Sequence, residues 1–504
     1  MARSPRSKKK RQRRDLQRAA ASRRGAKGQD EKDVDSATYE LITLFSVGLL
    51  VFIFWFAMGT ERAWDQPEEI YRFFELMAVQ FAIYAGVLWW CRRAGWRGRP
   101  WRAPLLLFWA ALFRLALVPA GAVDGWEGVR DDFKPSGHEP GYWTFLLYDN
   151  DVWRYLWDGQ VLRTGVNTYR LSPNAIEELA DDGDPRFTWF DDEPWGTIHN
   201  RIGYADYRTV YPPLAQATFV AASAIVPGST AVLKLILILF DVGTCWLLFD
   251  LARRALGKPD LAVIYAWNPL AIKEIAGSAH VDALAVFSLV LAGWLLERGR
   301  ERASLLALAA AILVKLTPLL AVPLFLRRIP WRRWWVLPAA GAVAYAPLLT
   351  TLPTIVESLK AFSRDWAFNA GFWNWTLAQS HAAGFEGRQV ADLVSLMLTA
   401  AILAFLTWRP LPGVDGLLTD VGWALGLYVI LSPTVMPWYL LWALPLLTLR
   451  TEWVWPAVTA ASLASYGVYI DGAERQGWLI AEHVLIAIVL LPAFVARIRT
   501  RGAP

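Results

Sequence analysis

The stretch Asp149-Asn150-Asp151-Val152-Trp153-Arg154-Tyr155-Leu156-Trp157-Asp158-Gly159 concentrates carboxylates, an arginine and aromatic rings. At helical spacing Asp151, Arg154, Tyr155, Asp158 and Leu162 share one face, with Trp153 and Trp157 beside it. Such a group suits acid–base chemistry: a carboxylate takes the proton of a substrate hydroxyl while aromatic rings form a platform for a sugar. The same spacing also suits a helix lying along a membrane surface, its Trp residues among headgroups and Arg154 paired with Asp151 and Asp158. Downstream, Thr209-Val210-Tyr211-Pro212-Pro213-Leu214-Ala215-Gln216 carries two prolines that fix an extended approach to the next apolar run. Lys315 is the only charge between Ser304 and Leu326. A charge within such a run is functional by default, with snorkelling to an interface as the plain alternative. Arg154, Arg208 and Lys273 each suit a contact with an anionic substrate or an ordinary salt bridge. His280, close to Asp282 and Gly277-Ser278, suits a substrate contact or a packed, hydrogen-bonded core histidine. The five histidines do not cluster at metal spacing. A divalent cation held between carboxylates and phosphate is the one cofactor these residues leave open.

The elements that must hold these side chains are set by composition. Of 504 residues 55% are hydrophobic and 19% charged, with 29 Trp, which excludes a disordered chain. Apolar stretches of spanning length follow one another from Leu41 onward, and ten-residue alternating strands are absent. The expected fold is therefore all-α and polytopic, with roughly 13–15 hydrophobic segments. Cys91 and Cys245 lie inside apolar runs and imply neither a disulfide nor a zinc framework. Residues 1–35 hold 13 Lys/Arg against 5 Asp/Glu, a local charge of +8 within a net +6, so the basic character belongs to the tail. Its expected role is to hold the N-terminus in the cytoplasm, and not to bind nucleic acid. No cleaved signal peptide is expected, because the run 41–58 follows a long polar region and is itself long enough to span.

Placing Lys/Arg clusters inside gives a path. After the tail (1–38), two helices near 41–58 and 73–91 lead to the basic turn Arg92, Arg93, Arg97, Arg99, Arg102. A third helix, about 104–120, exits into a ninety-residue extracytoplasmic loop, 121–211, rich in Asp, Trp, Tyr, Gly and Pro and expected to carry amphipathic surface helices. The piece 214–226 is short for a crossing and reads as interfacial or re-entrant, whereas 231–251 spans and ends on Arg253-Arg254. Beyond it, Trp267-Asn268-Pro269, the 277–282 junction and Lys315-Leu316-Thr317-Pro318 break the apolar runs. Broken helices at membrane depth usually line a cavity. Arg327, Arg328, Arg332 and Arg333 return the chain to the cytoplasm, 334–350 goes out, and 351–387 forms a second outer loop. The last segments, 388–504, end on Arg497, Arg499 and Arg501, so both termini are expected inside. A domain division into 1–38, 39–103, 104–350, 351–387 and 388–504 follows.

Four pieces in order resemble the multispanning glycosyltransferases of the C superfamily, and within it bacterial mannosyltransferase-like proteins that use polyprenyl-phosphate sugars. They are Asn150 to Gly159, Gly165-Val166-Asn167-Thr168-Tyr169, Tyr211 to Gln216, and Lys273-Glu274 through His280-Val281-Asp282-Ala283-Leu284. Lys315-Leu316-Thr317-Pro318 and Ser432-Pro433-Thr434-Val435-Met436-Pro437-Trp438-Tyr439 continue the likeness more loosely. The resemblance implies a catalytic carboxylate in the first outer loop, where the family pattern usually reads Asp-Asp-x-Tyr-Arg-Tyr. Here Asn150 stands for the first Asp and Trp153 for the first Tyr, so the base is Asp151 or Asp149, with Asp151 favoured because it shares a helix face with Arg154. Met436 replaces a His that often precedes Pro-Trp-Tyr. The two first helices and residues 121–148 are additions to the family's usual plan. Substrate-binding residues are expected among Arg154, Tyr155, Asp158, Arg208, Tyr211, Gln216, Lys273, His280, Asp282 and Lys315. The implied partners are a polyprenyl-phosphate sugar donor, a lipid or glycan acceptor, and the cytoplasmic membrane, with transfer of a hexose, mannose on this likeness, on the extracytoplasmic face. The competing readings are a secondary transporter or lipid-linked sugar flippase, which would also have broken helices, and a scaffold of a cell-envelope complex.

Overall fold

The computed structural model describes residues 36–59, 69–120, 150–192, 194–450, 453–470 and 473–502. Asp149, the basic tail and residues 121–148 lie outside the described residues. The longer helices are α1 (Ser36–Gly59), α2 (Glu69–Arg93), α3 (Arg102–Leu115), α4 (Asp151–Arg163), α5 (Pro213–Ile225) and α6 (Thr230–Leu251). They continue as α7 (Asp282–Glu297), α8 (Glu301–Val314), α9 (Leu352–Asp365), α10 (Gly387–Trp408), α11 (Gly413–Leu431) and α12 (Ala473–Gly502). Among the described residues β-structure is confined to one isolated parallel bridge, Phe368 with Thr434. The chain is an all-α polytopic membrane protein. Seven helical stretches among the described residues are long and apolar enough to cross a bilayer, including α1, α10, α11 and the continuous run Trp331–Asp365. Other apolar sequence falls into shorter helices, α5, α7 and α8 among them. The expected third span, about 104–120, is the shorter α3, followed by turns to Ala120.

Polar side chains inside the bundle are paired, as lipid depth requires. Asp241 of α6 accepts from Arg114 of α3 and from the Tyr265 hydroxyl, and Arg114 also donates to the Ala266 carbonyl at 2.8 Å. The chain from 252 to 281 crosses in pieces. Asn268 caps the turn opened by Pro269, accepting from the Ala271 N–H at 3.2 Å and donating to Thr459 at 2.9 Å. The Tyr84 hydroxyl donates to the Ile264 carbonyl and Arg114 to that of Ala266, so backbone freed by the breaks is answered by neighbouring helices rather than exposed to lipid, and the Trp267 indole ties the segment to the Leu106 carbonyl of α3. A π-turn at Lys273–Gly277 and Ala279, with φ +61°, then reverse the chain into α7.

The α4 helix is sandwiched rather than lying free on a surface. One side meets α5 so closely that a Cβ at Gly159 would stand 2.4 Å from the Phe219 carbonyl oxygen, and Tyr155 stacks on the Phe219 ring at 4.6 Å. The other side carries Trp157 into a cluster with Trp189, Phe190 and His199. Trp153 and Trp157 are 3% and 1% exposed. They therefore cannot be the sugar platform that their spacing suggested: burial of large rings against other rings outweighs a place at the surface.

Residues 352–382, expected as a loop, hold α9 and a second helix, Gly371–Ala382. The α9 helix lies against the 203–211 segment, with Tyr207 donating to Asp365 at 3.0 Å and Arg208 facing Glu357 at 3.3 Å.

Candidate active site

Asp151 begins α4, the position where a carboxylate meets the positive end of the helix dipole. Its Oδ2 accepts from the Tyr155 hydroxyl at 3.3 Å and from that of Tyr211 at 3.5 Å, and lies 3.8 Å from His280 Nδ1. Burial, with the Asp151 charge adding to it, pushes both tyrosines well above their ordinary range, so both remain donors. With 32% of its side chain exposed, Asp151 is wet enough to meet a substrate and fixed enough to be aimed.

Behind Asp151 the motif residues brace one another. Arg154 donates to Asp158 at 2.8 Å and to the Tyr207 carbonyl at 2.9 Å, and its Nη2 has no acceptor among the described residues. Gln216 spans Asp158 and Thr209, both at 2.8 Å, and Tyr169 donates to the Tyr211 carbonyl at 2.6 Å. Asp158 and Gln216 are thus buried ties between α4 and α5 that hold Tyr211 in place, not cavity-lining groups.

A second cluster sits below. His280 stacks on Trp438 at 4.0 Å, with Nε2 3.3 Å from Glu274. Lys273 pairs with Glu274 at 3.2 Å, and the Tyr466 hydroxyl contacts both. Lys273, Glu274 and His280 are wholly buried, so Lys273 is an internal ion pair rather than an interfacial cation. Lys315 follows the last turn of α8 and reaches Asp282 at 2.9 and 3.0 Å, with the Tyr439 and Trp442 rings 4.7 and 5.3 Å from its ammonium. Among the described residues no three His, Cys, Asp or Glu gather as a metal site, and the Asp282 carboxylate is taken up by Lys315 and Trp442.

Two cavities meet at this lysine. The more polar one, of about 330 Å³, is lined by Asp151, Arg154, Arg208, Tyr211 and Lys315, along with Met436 and Tyr466. An apolar groove of about 570 Å³ runs past Leu316, Leu319, Leu320, Leu396 and Leu431. They share Val210, Tyr211, Lys315, Phe362, Trp366 and Tyr439. Of the residues expected from sequence, five line the polar cavity, and Tyr155, Asp158, Gln216, Lys273, His280 and Asp282 stand behind its walls. Sequence reasoning missed Phe362, Trp366, Tyr204 and Tyr207, which carry no motif, and Trp442, which lies beyond the Pro437-Trp438-Tyr439 signal.

Two family models match the chain in order: "Alpha-(1->6)-mannopyranosyltransferase, N-terminal domain" over residues 140–329, and "MptB C-terminal domain" over residues 371–496. Together they cover well over half of it. Alpha-(1->6)-mannopyranosyltransferase A of Mycobacterium tuberculosis is 25% identical over 329 residues, 59% of this chain and 60% of the relative. A probable alpha-(1->6)-mannopyranosyltransferase of Mycolicibacterium smegmatis is 26% identical over 426 residues, 71% of this chain and 73% of the relative. The first match thus spans less than two thirds of its relative's length. The N-terminal match takes in α4 to α8 and with them Asp151, His280, Asp282 and Lys315; the C-terminal one takes in Trp438, Tyr439 and Trp442.

Proposed function

We propose that this chain, which belongs to the family of bacterial membrane mannosyltransferase-like proteins that those two models describe, transfers a mannosyl residue from a polyprenyl-phosphate donor to a glycan or lipid acceptor. The observation that carries the proposal is the meeting of an apolar groove and a polar, Asp151-bearing cavity at Lys315. The polyprenyl tail lies in the groove, the phosphate at Lys315, and the sugar in the polar cavity. Phosphate is a good leaving group and needs only a cation to take the charge that develops as the glycosyl bond breaks. An acceptor hydroxyl attacks the anomeric carbon from the side opposite the phosphate and Asp151 takes its proton, which inverts the configuration.

An extracytoplasmic position is supported by which helix ends the site occupies. α7 starts at Asp282 in the site and ends beside Arg298, which joins Arg253 and Arg254 on Asp250. α8 starts at Glu301, paired with Arg333, and ends at Lys315. The basic clusters and the site are therefore separated by helices about 20–24 Å long. With the basic ends cytoplasmic, the chemistry is extracytoplasmic.

Purified full-length protein in detergent, given radiolabelled polyprenyl-phosphate mannose and a mannoside acceptor, is expected to form a new glycosidic bond. Absence of any such bond, with transport of the intact lipid-linked sugar in vesicles, would instead assign a flippase.

A further inference from the structure

At the mouth of the polar cavity, Tyr204 is 64% exposed and holds φ at +62°, a left-handed conformation that side-chain-bearing residues rarely adopt. Glycine is available next door: Gly203 has no positive φ, and the tyrosine takes the turn instead. Core packing does not account for a ring so exposed, and an unfavourable backbone conformation kept at a cavity mouth points to use. The Tyr204 ring meets Trp366 at 4.2 Å and Tyr207 at 6.4 Å, and all three line the cavity that holds Asp151. Around them stand groups suited to hydroxyls: Arg208 with Glu357, and the Tyr207 hydroxyl with Asp365.

The shelf is one step from the reacting centre. A Cβ at Gly203 would lie 2.9 Å from the Asn150 side-chain amide, so the segments that bear Tyr204 and Asp151 touch through that side chain. The apolar groove leaves the cavity at Lys315 and carries none of Tyr204, Tyr207 and Arg208. The approaches by groove and by cavity thus meet at Trp366 and Lys315, with Tyr204, Tyr207 and Arg208 on the side away from the groove.

We infer that the Tyr204–Trp366 shelf is an acceptor subsite that stacks a pyranose ring next to the one being glycosylated, so that the acceptor is an oligosaccharide and not a single sugar. The inference rests on the reaction proposed above. An aromatic face packs against the C–H face of a pyranose, and the charged rim bonds its hydroxyls.

The test uses the full-length protein in detergent, Tyr204→Gly and Tyr204→Phe, an α-linked mannose trisaccharide and methyl mannoside. Glycine fits the positive φ, so removal of the ring does not strain the fold and the thermal midpoint is expected not to fall. Binding measured without donor is expected to weaken about 3- to 10-fold for the trisaccharide in Tyr204→Gly. It should be unchanged for methyl mannoside, and Tyr204→Phe should match the wild type. The acceptor KM in transfer should follow the same pattern. The subsite is overturned if the wild type binds both ligands alike, or if Tyr204→Gly leaves trisaccharide binding intact or weakens both equally. Selective trisaccharide binding without any transfer would sustain the subsite and reject the proposed reaction.

Discussion

Lys315 Nζ stands 2.9 and 3.0 Å from the two oxygens of Asp282, a wholly buried carboxylate that also accepts the Trp442 indole N–H at 2.6 Å. The pairing fixes an ammonium at the point where the two cavities join. An ammonium has three N–H donors; two serve Asp282, which leaves one for an anionic ligand. On the proposed function Asp282 is a positioning residue, and the lysine, 17% exposed, would be the group that meets the donor's phosphate.

Replacing Lys315 by Met should lower kcat/KM for the donor about 10- to 100-fold, the worth of a charge-assisted hydrogen bond of about 1.5–3 kcal/mol. It should also cost about 3–5 kcal/mol of stability, because Asp282 is left charged and buried. The double variant Lys315→Met with Asp282→Asn should regain the stability and not the donor use. Thermal melts and transfer kinetics on the four proteins of the cycle separate the two effects. A double variant that transferred normally would remove the phosphate role.

Asp151→Asn should reduce transfer about 10²- to 10⁴-fold, the usual worth of a general base, with donor binding and thermal midpoint close to wild type. Tyr155→Phe and Tyr211→Phe each remove one donor to the same oxygen and should cost far less, since either phenol can still orient the carboxylate. Near-normal transfer by Asp151→Asn would pass the base role elsewhere, with Asp149 the first alternative.

What the sequence made legible is what local periodicity governs. The Arg154–Asp158 contact is an i, i+4 pair that the spacing alone foretold, and Tyr155, placed by the same spacing on that face, meets Asp151 one turn back. The breaks at Asn268-Pro269 and Lys315-Leu316-Thr317-Pro318 were equally visible, because proline and a lone charge in an apolar run leave few alternatives. The partner of Lys315 was not, since Asp282 is 33 residues away and only the packing of α7 on α8 brings it near. Nor was the fate of the tryptophans: the pattern at Trp153 and Trp157 shows amphipathicity but not that Trp189, Phe190 and His199 pack on Trp157 or that Arg201 lies over Trp153. Tyr204 was hidden for a further reason, because its conformation is one for which the neighbouring glycine would be the natural bearer.

Gly159→Ala tests whether the α4–α5 approach places Asp151. The added methyl would meet the Phe219 carbonyl oxygen at 2.4 Å, a backbone atom that can yield only if the helices part. Overpacking of this kind should cost about 1–3 kcal/mol. Because Tyr155 rides on the same contact, transfer should fall as well, although Gly159 touches no cavity. A variant of unchanged stability and activity would show that the two helices are free to separate.

The aromatic layer over α4 carries a pH dependence of its own. His199 is buried between the Trp157 and Phe190 rings, 5.2 and 5.6 Å away by centroid, with Glu177 3.6 Å from its Nδ1. Burial holds the imidazole below its ordinary pKa of 6.5, and the partly exposed Glu177 only opposes this. The unfolded chain therefore binds a proton that the folded one resists. Stability is complete above about pH 6.5 and declines as the pH falls from there toward the folded pKa. Between pH 7.5 and 5 the thermal midpoint of the wild type should drop further than that of His199→Phe, whose ring fits the same cluster without a titrating nitrogen. Parallel slopes for the two proteins would clear His199 of any part in the acid sensitivity.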